Sequence, residues 1–103
     1  MKHTLSITNG ASLLASSILH IPESFENPAE IVRASQLIER FNVEVPGDVD
    51  EKSNDPFYNL SKNVEVTEKE RDLLKKVVTK NARMIPPGKP AVSLLTALGM
   101  TED

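Results

Sequence analysis

The chain has 103 residues, a formal net charge of −3, no cysteine, no tryptophan, one tyrosine and three phenylalanines. That length supports one domain, residues 1–103, around one modest core; the missing cysteines exclude disulfides, thiol catalysis and cysteine–zinc sites and allow a reducing, cytoplasmic setting. No apolar run approaches the ~20 residues that cross a bilayer, and the acidic balance is the reverse of a strongly basic nucleic-acid binder.

Charge is divided unevenly, with four Lys or Arg against nine Asp or Glu in residues 1–60 and eight against six in residues 61–103. Lys2 followed by Ala11-Ser12-Leu13-Leu14-Ala15 has the outline of a secretory leader, but Thr8-Asn9-Gly10 interrupts it before an apolar run of the required length forms, so a cleaved signal is not expected.

His3 to Thr8 alternates small polar residues with Leu5 and Ile7 and is predicted as a strand. Asn9-Gly10 is compatible with a type I′ hairpin turn or with Asn9 as the N-cap of a helix. The helix is favoured because Leu13, Leu14, Ser17, Ile18 and Ile21 keep a 3.6-residue spacing, and Pro22 ends it. Phe25 is expected to tuck back from the following loop. Asn27, Pro28 and Glu30 form a second start signal, a cap, a first-turn proline and an Asn-x-x-Glu variant of the capping box. Ile31, Ala34, Ser35, Ile38 and Phe41, flanked by Val32 and Leu37, give this helix a broad apolar face.

Asn42-Val43-Glu44-Val45 recurs word for word as Asn63-Val64-Glu65-Val66. Four residues do not establish a duplicated unit, but both Val-x-Val segments are strand-like and are expected to pair with Leu5-Ser6-Ile7 in a small sheet. Residues 47–59 between them are polar and are predicted as an exposed acidic loop, with Phe57, Tyr58 and Leu60 fastening its far end to the core. Thr67-Glu68-Lys69-Glu70 then has the spacing of a full capping box. It opens a helix whose Leu73, Leu74, Val77 and Val78 make one stripe, worth about 6–12 kcal/mol of gross transfer free energy when buried. A proline-rich hinge at 86–90 leads to a last helix from Ala91 to Leu98, with Gly99 at its end. The expected fold is α+β and mainly α, with about four helices and a small sheet of two or three short strands.

Candidate chemistry is sparse. Asp48-x-Asp50 begins like a calcium loop, but Lys52 stands where an oxygen ligand belongs, and the required glycine and final glutamate are missing. His3 and His20 share no ligand spacing, the serines lie in no Gly-x-Ser-x-Gly elbow, and Gly10, Gly47, Gly88 and Gly99 are too scattered to cradle phosphate. No metal, cofactor or enzymatic activity is expected. Two surfaces merit attention. Leu94, Leu95, Leu98 and Met100 either cap the core or present an apolar face to a partner. Lys76, Lys80 and Arg83 share a helical face that could meet nucleic-acid phosphate, although acids in the first turns and cations in the last is also what the helix dipole favours.

The blocks Leu5-Ser6-Ile7-Thr8-Asn9-Gly10 with Leu13-Leu14, and Val64-Glu65-Val66-Thr67-Glu68-Lys69-Glu70-Arg71 with Leu73-Leu74, resemble small accessory proteins encoded by tailed bacteriophages. Such proteins start with a short strand, a Thr-Asn-Gly and a helix, and carry a late capped helix. The resemblance implies a non-enzymatic protein that binds another phage or bacterial host protein, as a virion or assembly component or as an inhibitor of a host factor, in the host cytoplasm or in the virion, with homo-oligomerisation as one mode. It assigns no residue a role. The alternative is a small nucleic-acid-binding regulator using Lys76, Lys80 and Arg83.

Overall fold

A computed structural model describes residues 2–44, 47 and 56–100. Strand β1 (Lys2–Thr8) runs without a loop into helix α1 (Asn9–Leu19). Thr8 rather than Asn9 is the N-cap, its hydroxyl accepting from the Ala11 N–H at 3.2 Å. After a 3₁₀ turn at Pro22–Ser24, α2 spans Pro28–Arg40. Strand β2 (Ser61–Thr67) leads, again without a loop, into α3 (Glu68–Lys80), and α4 (Lys89–Ala97) closes the chain.

The strands form a two-stranded antiparallel sheet with Leu5 opposite Val64 and Thr8 opposite Ser61. Period-2 alternation buries Leu5, Ile7, Val64 and Val66 and exposes Thr4, Ser6, Asn63 and Glu65. The expected third strand is not formed: Val43 and Glu44 lie outside any strand, and Val45 is outside the described residues. Side chains rather than a backbone ladder approach β2 from that stretch, as Arg40 Nη1 donates to the Glu65 carbonyl at 3.4 Å and Lys62 Nζ to the Asn42 carbonyl at 3.5 Å. Of the predicted loop at 47–59, residues 48–55 are outside the described residues, while Pro56–Asn59 is a 3₁₀ turn. Leu60 is 58% exposed. It fastens this segment through its carbonyl, which accepts from the Asn9 N–H at 2.9 Å, and not through its side chain.

The capping box of α3 is present in full: Thr67 Oγ1 accepts from the Glu70 N–H at 3.2 Å and Glu70 Oε1 from the Thr67 N–H at 2.8 Å. Leu73, Leu74, Val77 and Val78 are buried, as their spacing predicts. In α2 the Asn27 side chain caps the Glu30 N–H at 3.1 Å, but the Glu30 carboxylate reaches one residue further back, to the Glu26 N–H at 2.7 Å. Its buried stripe is Glu30, Ala34, Leu37 and Phe41, whereas Ile31 and Val32 are 54% and 57% exposed. The apolar residues of α2 cover two adjacent stripes, and tertiary bonds choose between them. Ser12 Oγ donates to the buried Phe41 carbonyl at 2.7 Å, and Lys76 draws Glu30 toward α3. Helix α1 likewise buries Ala11, Ser12, Ala15, Ile18 and Leu19 and leaves Leu13 and Leu14 half-buried.

Helix α4 begins at Lys89, so only residues 86–88 of the predicted hinge lie outside it. It ends in a Schellman motif, with Gly99 at φ +72°, its N–H bonded to the Thr96 carbonyl at 3.1 Å, and the Met100 N–H bonded to the Leu95 carbonyl at 2.9 Å. The left-handed backbone at Gly99 is the reason glycine stands there.

Candidate functional site

The apolar set predicted on the last helix is mostly core. Leu94 and Leu98 are 1% and 0% exposed. Leu95 and Met100 are half-buried against the same cluster, and they hold the two positions whose side chains meet in a Schellman motif. The exposed apolar residue of α4 is Val92, not any of these four. As a set they do not form a docking face.

The cationic row is divided. Lys76 Nζ lies between Glu30 Oε2 at 2.7 Å and Glu26 Oε2 at 3.1 Å, and Lys80 Nζ meets Glu26 Oε1 at 3.0 Å. Arg83 is not on α3: the helix ends at Lys80, and Arg83 is exposed on the 3₁₀ turn Ala82–Met84. The hydrogen bond from Lys80, then that from Lys76, holds the Glu26 carboxyl below its ordinary range. Glu30 is lowered first by Lys76 and then by the Glu26 N–H, and Lys76 is raised in return, chiefly by Glu30. Two of the three predicted phosphate-binding cations thus tie α3 to the start of α2. Beside them, buried Asn81 caps α3, its Nδ2 donating to Ser24 Oγ at 2.6 Å and the Val77 carbonyl at 2.9 Å.

Asp48 and Asp50 of the calcium-like stretch are outside the described residues. Among the described residues no group of three or more His, Asp or Glu could hold a metal ion, and no helix is long and apolar enough to cross a membrane. His20 Nδ1 meets the Ser16 carbonyl at 2.6 Å, while His3 Nε2 is buried with no hydrogen-bond partner among the described residues.

A groove of about 650 Å³ lies where α1, the Pro56–Asn59 turn and the segment before α4 converge. Its walls include Leu13, Leu14, Tyr58, Pro86, Pro87 and Pro90, with Lys89 at the margin. Local chemistry holds these walls in place. The Asn9 side-chain amide donates to the Phe57 carbonyl at 3.0 Å, and Phe57 and Tyr58 pack edge to face with centroids 5.4 Å apart. The Thr8 N–H donates to Ser93 Oγ at 3.1 Å, fixing α4 beside β1. Gly10 allows the close approach, since a Cβ there would lie 3.3 Å from both Pro90 Cγ and the Tyr58 carbonyl oxygen. In the sequence Leu13 and Leu14 mark only the apolar spacing of a helix, and the groove is not foreseen. Its available signal was a leucine pair beside a glycine and a distant run of prolines.

A second, shallower groove of about 360 Å³ follows β2 from Asn63 to Thr67, bounded by Lys2 and Arg40. Here the Glu70 carboxylate, 3% exposed, accepts from both the Thr67 N–H and Arg40 Nη1. Burial alone would raise its pKa, but the Thr67 N–H and the Arg40 guanidinium outweigh that effect and hold the carboxyl below its ordinary range. In comparisons with known proteins, no family model matches this chain, and neither a curated protein nor a solved structure does.

Proposed function

We propose that this chain is a non-enzymatic protein-binding module whose contact surface is the groove between Leu13, Leu14, Tyr58 and the Pro86–Pro90 segment. The observation that carries the reading is the groove itself: half-buried leucines, a tyrosine and three prolines open to solvent on elements tied together by Asn9, Gly10 and Ser93. Its volume of about 650 Å³ falls in the range of concave, mainly apolar binding pockets. Prolines and a tyrosine lose little conformational entropy on being covered, which favours recognition of another chain. Lys89 at the margin favours an acidic residue next to the partner's apolar anchor. The resemblance to tailed-phage accessory proteins makes that partner a phage virion or assembly protein, or a host protein to be inhibited. With Lys76 and Lys80 engaged by Glu26 and Glu30, the protein-binding reading stands ahead of nucleic-acid binding.

The test compares immobilised wild-type chain with Leu14→Glu and Tyr58→Ala variants shown by circular dichroism to be folded. A phage or host protein retained by the wild type, lost by both variants and able to capture the chain reciprocally is the expected outcome. Retention of the same proteins by all three would overturn the proposal.

A further inference from the structure

We infer that the free edge of β2 pairs with β2 of a second copy of this chain, antiparallel about a two-fold axis through Val64, giving a four-stranded sheet in the order β1-β2-β2-β1. This interface is separate from the apolar groove and does not depend on its function.

Three hydrogen bonds establish which backbone groups of β2 point outward. The Asn9 N–H donates to the Leu60 carbonyl in continuation of the ladder, so Ile7–Lys62, Leu5–Val64 and His3–Val66 are the pairs that exchange hydrogen bonds. In agreement, the Thr8 N–H turns outward to Ser93 Oγ and the Thr67 N–H turns outward to Glu70. The N–H and C=O groups of Asn63 and Glu65 therefore face away from β1. Among the described residues the one hydrogen bond to these groups is the long one from Arg40 to the Glu65 carbonyl at 3.4 Å. The groove of about 360 Å³ follows this part of the strand. Edge strands are commonly protected by proline, a bulge or inward charge; β2 has neither proline nor bulge, and its inward-facing charge is confined to Lys62 near its start, so that Asn63 to Thr67 carries none of the three. The outer edge of β1, by contrast, has α4 beside it.

The sequence of β2 selects a second copy as the occupant, because it is complementary to itself. Only odd-numbered residues carry outward backbone groups, so allowed registers differ by two residues. With the axis through Val64, all seven residues of Ser61–Thr67 stand opposite a partner, Lys62 opposite Val66 included, and the Thr67 N–H stays with Glu70, so the outer Ser61–Thr67 pairs bond through the Ser61 N–H alone. Asn63 stands opposite Glu65 of the second copy at two equivalent places, an amide against a carboxylate on the exposed face. Ser61 stands opposite Thr67, Val64 meets Val64, and no like charges oppose. Shifting two residues one way sets Glu65 against Glu65; shifting the other way pairs Asn63 with itself and leaves Val66 and Thr67 unmatched. The register through Val64 is the best of the three.

Sedimentation equilibrium from low micromolar to millimolar concentration should show the mass rising from 11.3 kDa toward twice that value. Glu65→Pro removes one outward N–H without touching the β1 ladder, and it should leave a folded monomer. Exchanging the charge at Asn63 tests the register while leaving the backbone intact. Asn63→Lys places a cation against Glu65 twice and should tighten dimerisation, and Asn63→Glu places an anion there and should weaken it, each by about 2- to 30-fold from two cross-strand pairs. A chain that stays monomeric at millimolar concentration, including one whose edge takes up only a foreign extended peptide, would overturn the proposal. So would a dimer that survives Glu65→Pro, or Asn63 variants that do not move in opposite directions. Should Glu65→Pro disturb the fold, the two Asn63 variants decide.

Discussion

Replacing Glu70 by alanine should destabilise the protein by about 2–4 kcal/mol, with most of that loss coming from the backbone and little from the ion pair. Glu70 is 3% exposed and its Oε1 accepts both the Thr67 N–H at 2.8 Å and Arg40 Nη1. A hydrogen bond to a charged group contributes about 1.5–3 kcal/mol. The Arg40 side chain is 41% exposed, so its pairing adds at most about 1 kcal/mol after solvent screening. Urea denaturation of wild type, Glu70→Ala, Arg40→Ala and the double variant separates the two effects. The cost of Glu70→Ala should persist largely undiminished in the Arg40→Ala background. If it vanishes there, the ion pair rather than the cap carries the stabilisation and the reasoning is refuted. The pH dependence supplies an independent check. The Glu70 carboxyl is held below its ordinary value of 4.5, so its contribution is complete above that pH and is lost as pH falls through the lower folded-state value. The stability gap between wild type and Glu70→Gln should close in that acidic window and nowhere above it.

Leu98→Ala should cost about 2–5 kcal/mol because it opens a cavity in the core, while Val92→Ala on the same helix should change the unfolding free energy by less than about 0.5 kcal/mol; equal effects in urea denaturation would contradict the assignment of Leu98 to the core. Asn81→Ala leaves Ser24 Oγ without its Nδ2 donor and the Val77 carbonyl with only the backbone N–H of residue 81, and should cost about 1–3 kcal/mol in chemical denaturation. The lowered Glu26 and Glu30 carboxyls should make the α2–α3 contact weaken as pH falls below 4.5 through their folded-state values. Lys76, raised above 10.5, keeps its contribution through neutral pH and loses it only as pH rises through that higher value. Amide exchange at the start of α2 should report the acid limb, and Lys76→Met should abolish most of it.

The elements most legible in the sequence were those written by short-range chemistry. Thr67 and Glu70 specify their box within four residues, and Leu73 to Val78 specify one stripe, so α3 needs nothing distant to be read. Asn27 was equally readable as a cap, but the buried side of α2 was not. Ile31 and Ala34 are both apolar, and only Ser12 and Lys76, on other helices, select between their stripes. The repeated Asn-Val-Glu-Val separates propensity from structure: Asn63–Val66 lies in a strand because β1 is there to pair with it, whereas Asn42 to Glu44 follows directly on the C-cap of α2 and joins no ladder. The cations of α3 were visible as a row, but their partners on the far side of the α2 start were not. The apolar groove joins three segments that are remote in sequence, and no local pattern announces such a meeting.

Both strands pass into their helices with no intervening residue, at Thr8–Asn9 and at Thr67–Glu68. Each strand and its helix are thereby keyed together like a shaft and its gear. One added residue at either joint would turn the helix by about 100° relative to the strand, carrying Ala11 and Ala15, or Leu74 and Val77, out of mesh. These two threonine junctions are therefore where the chain tolerates a change of length least, and where natural variation in spacing should be narrowest.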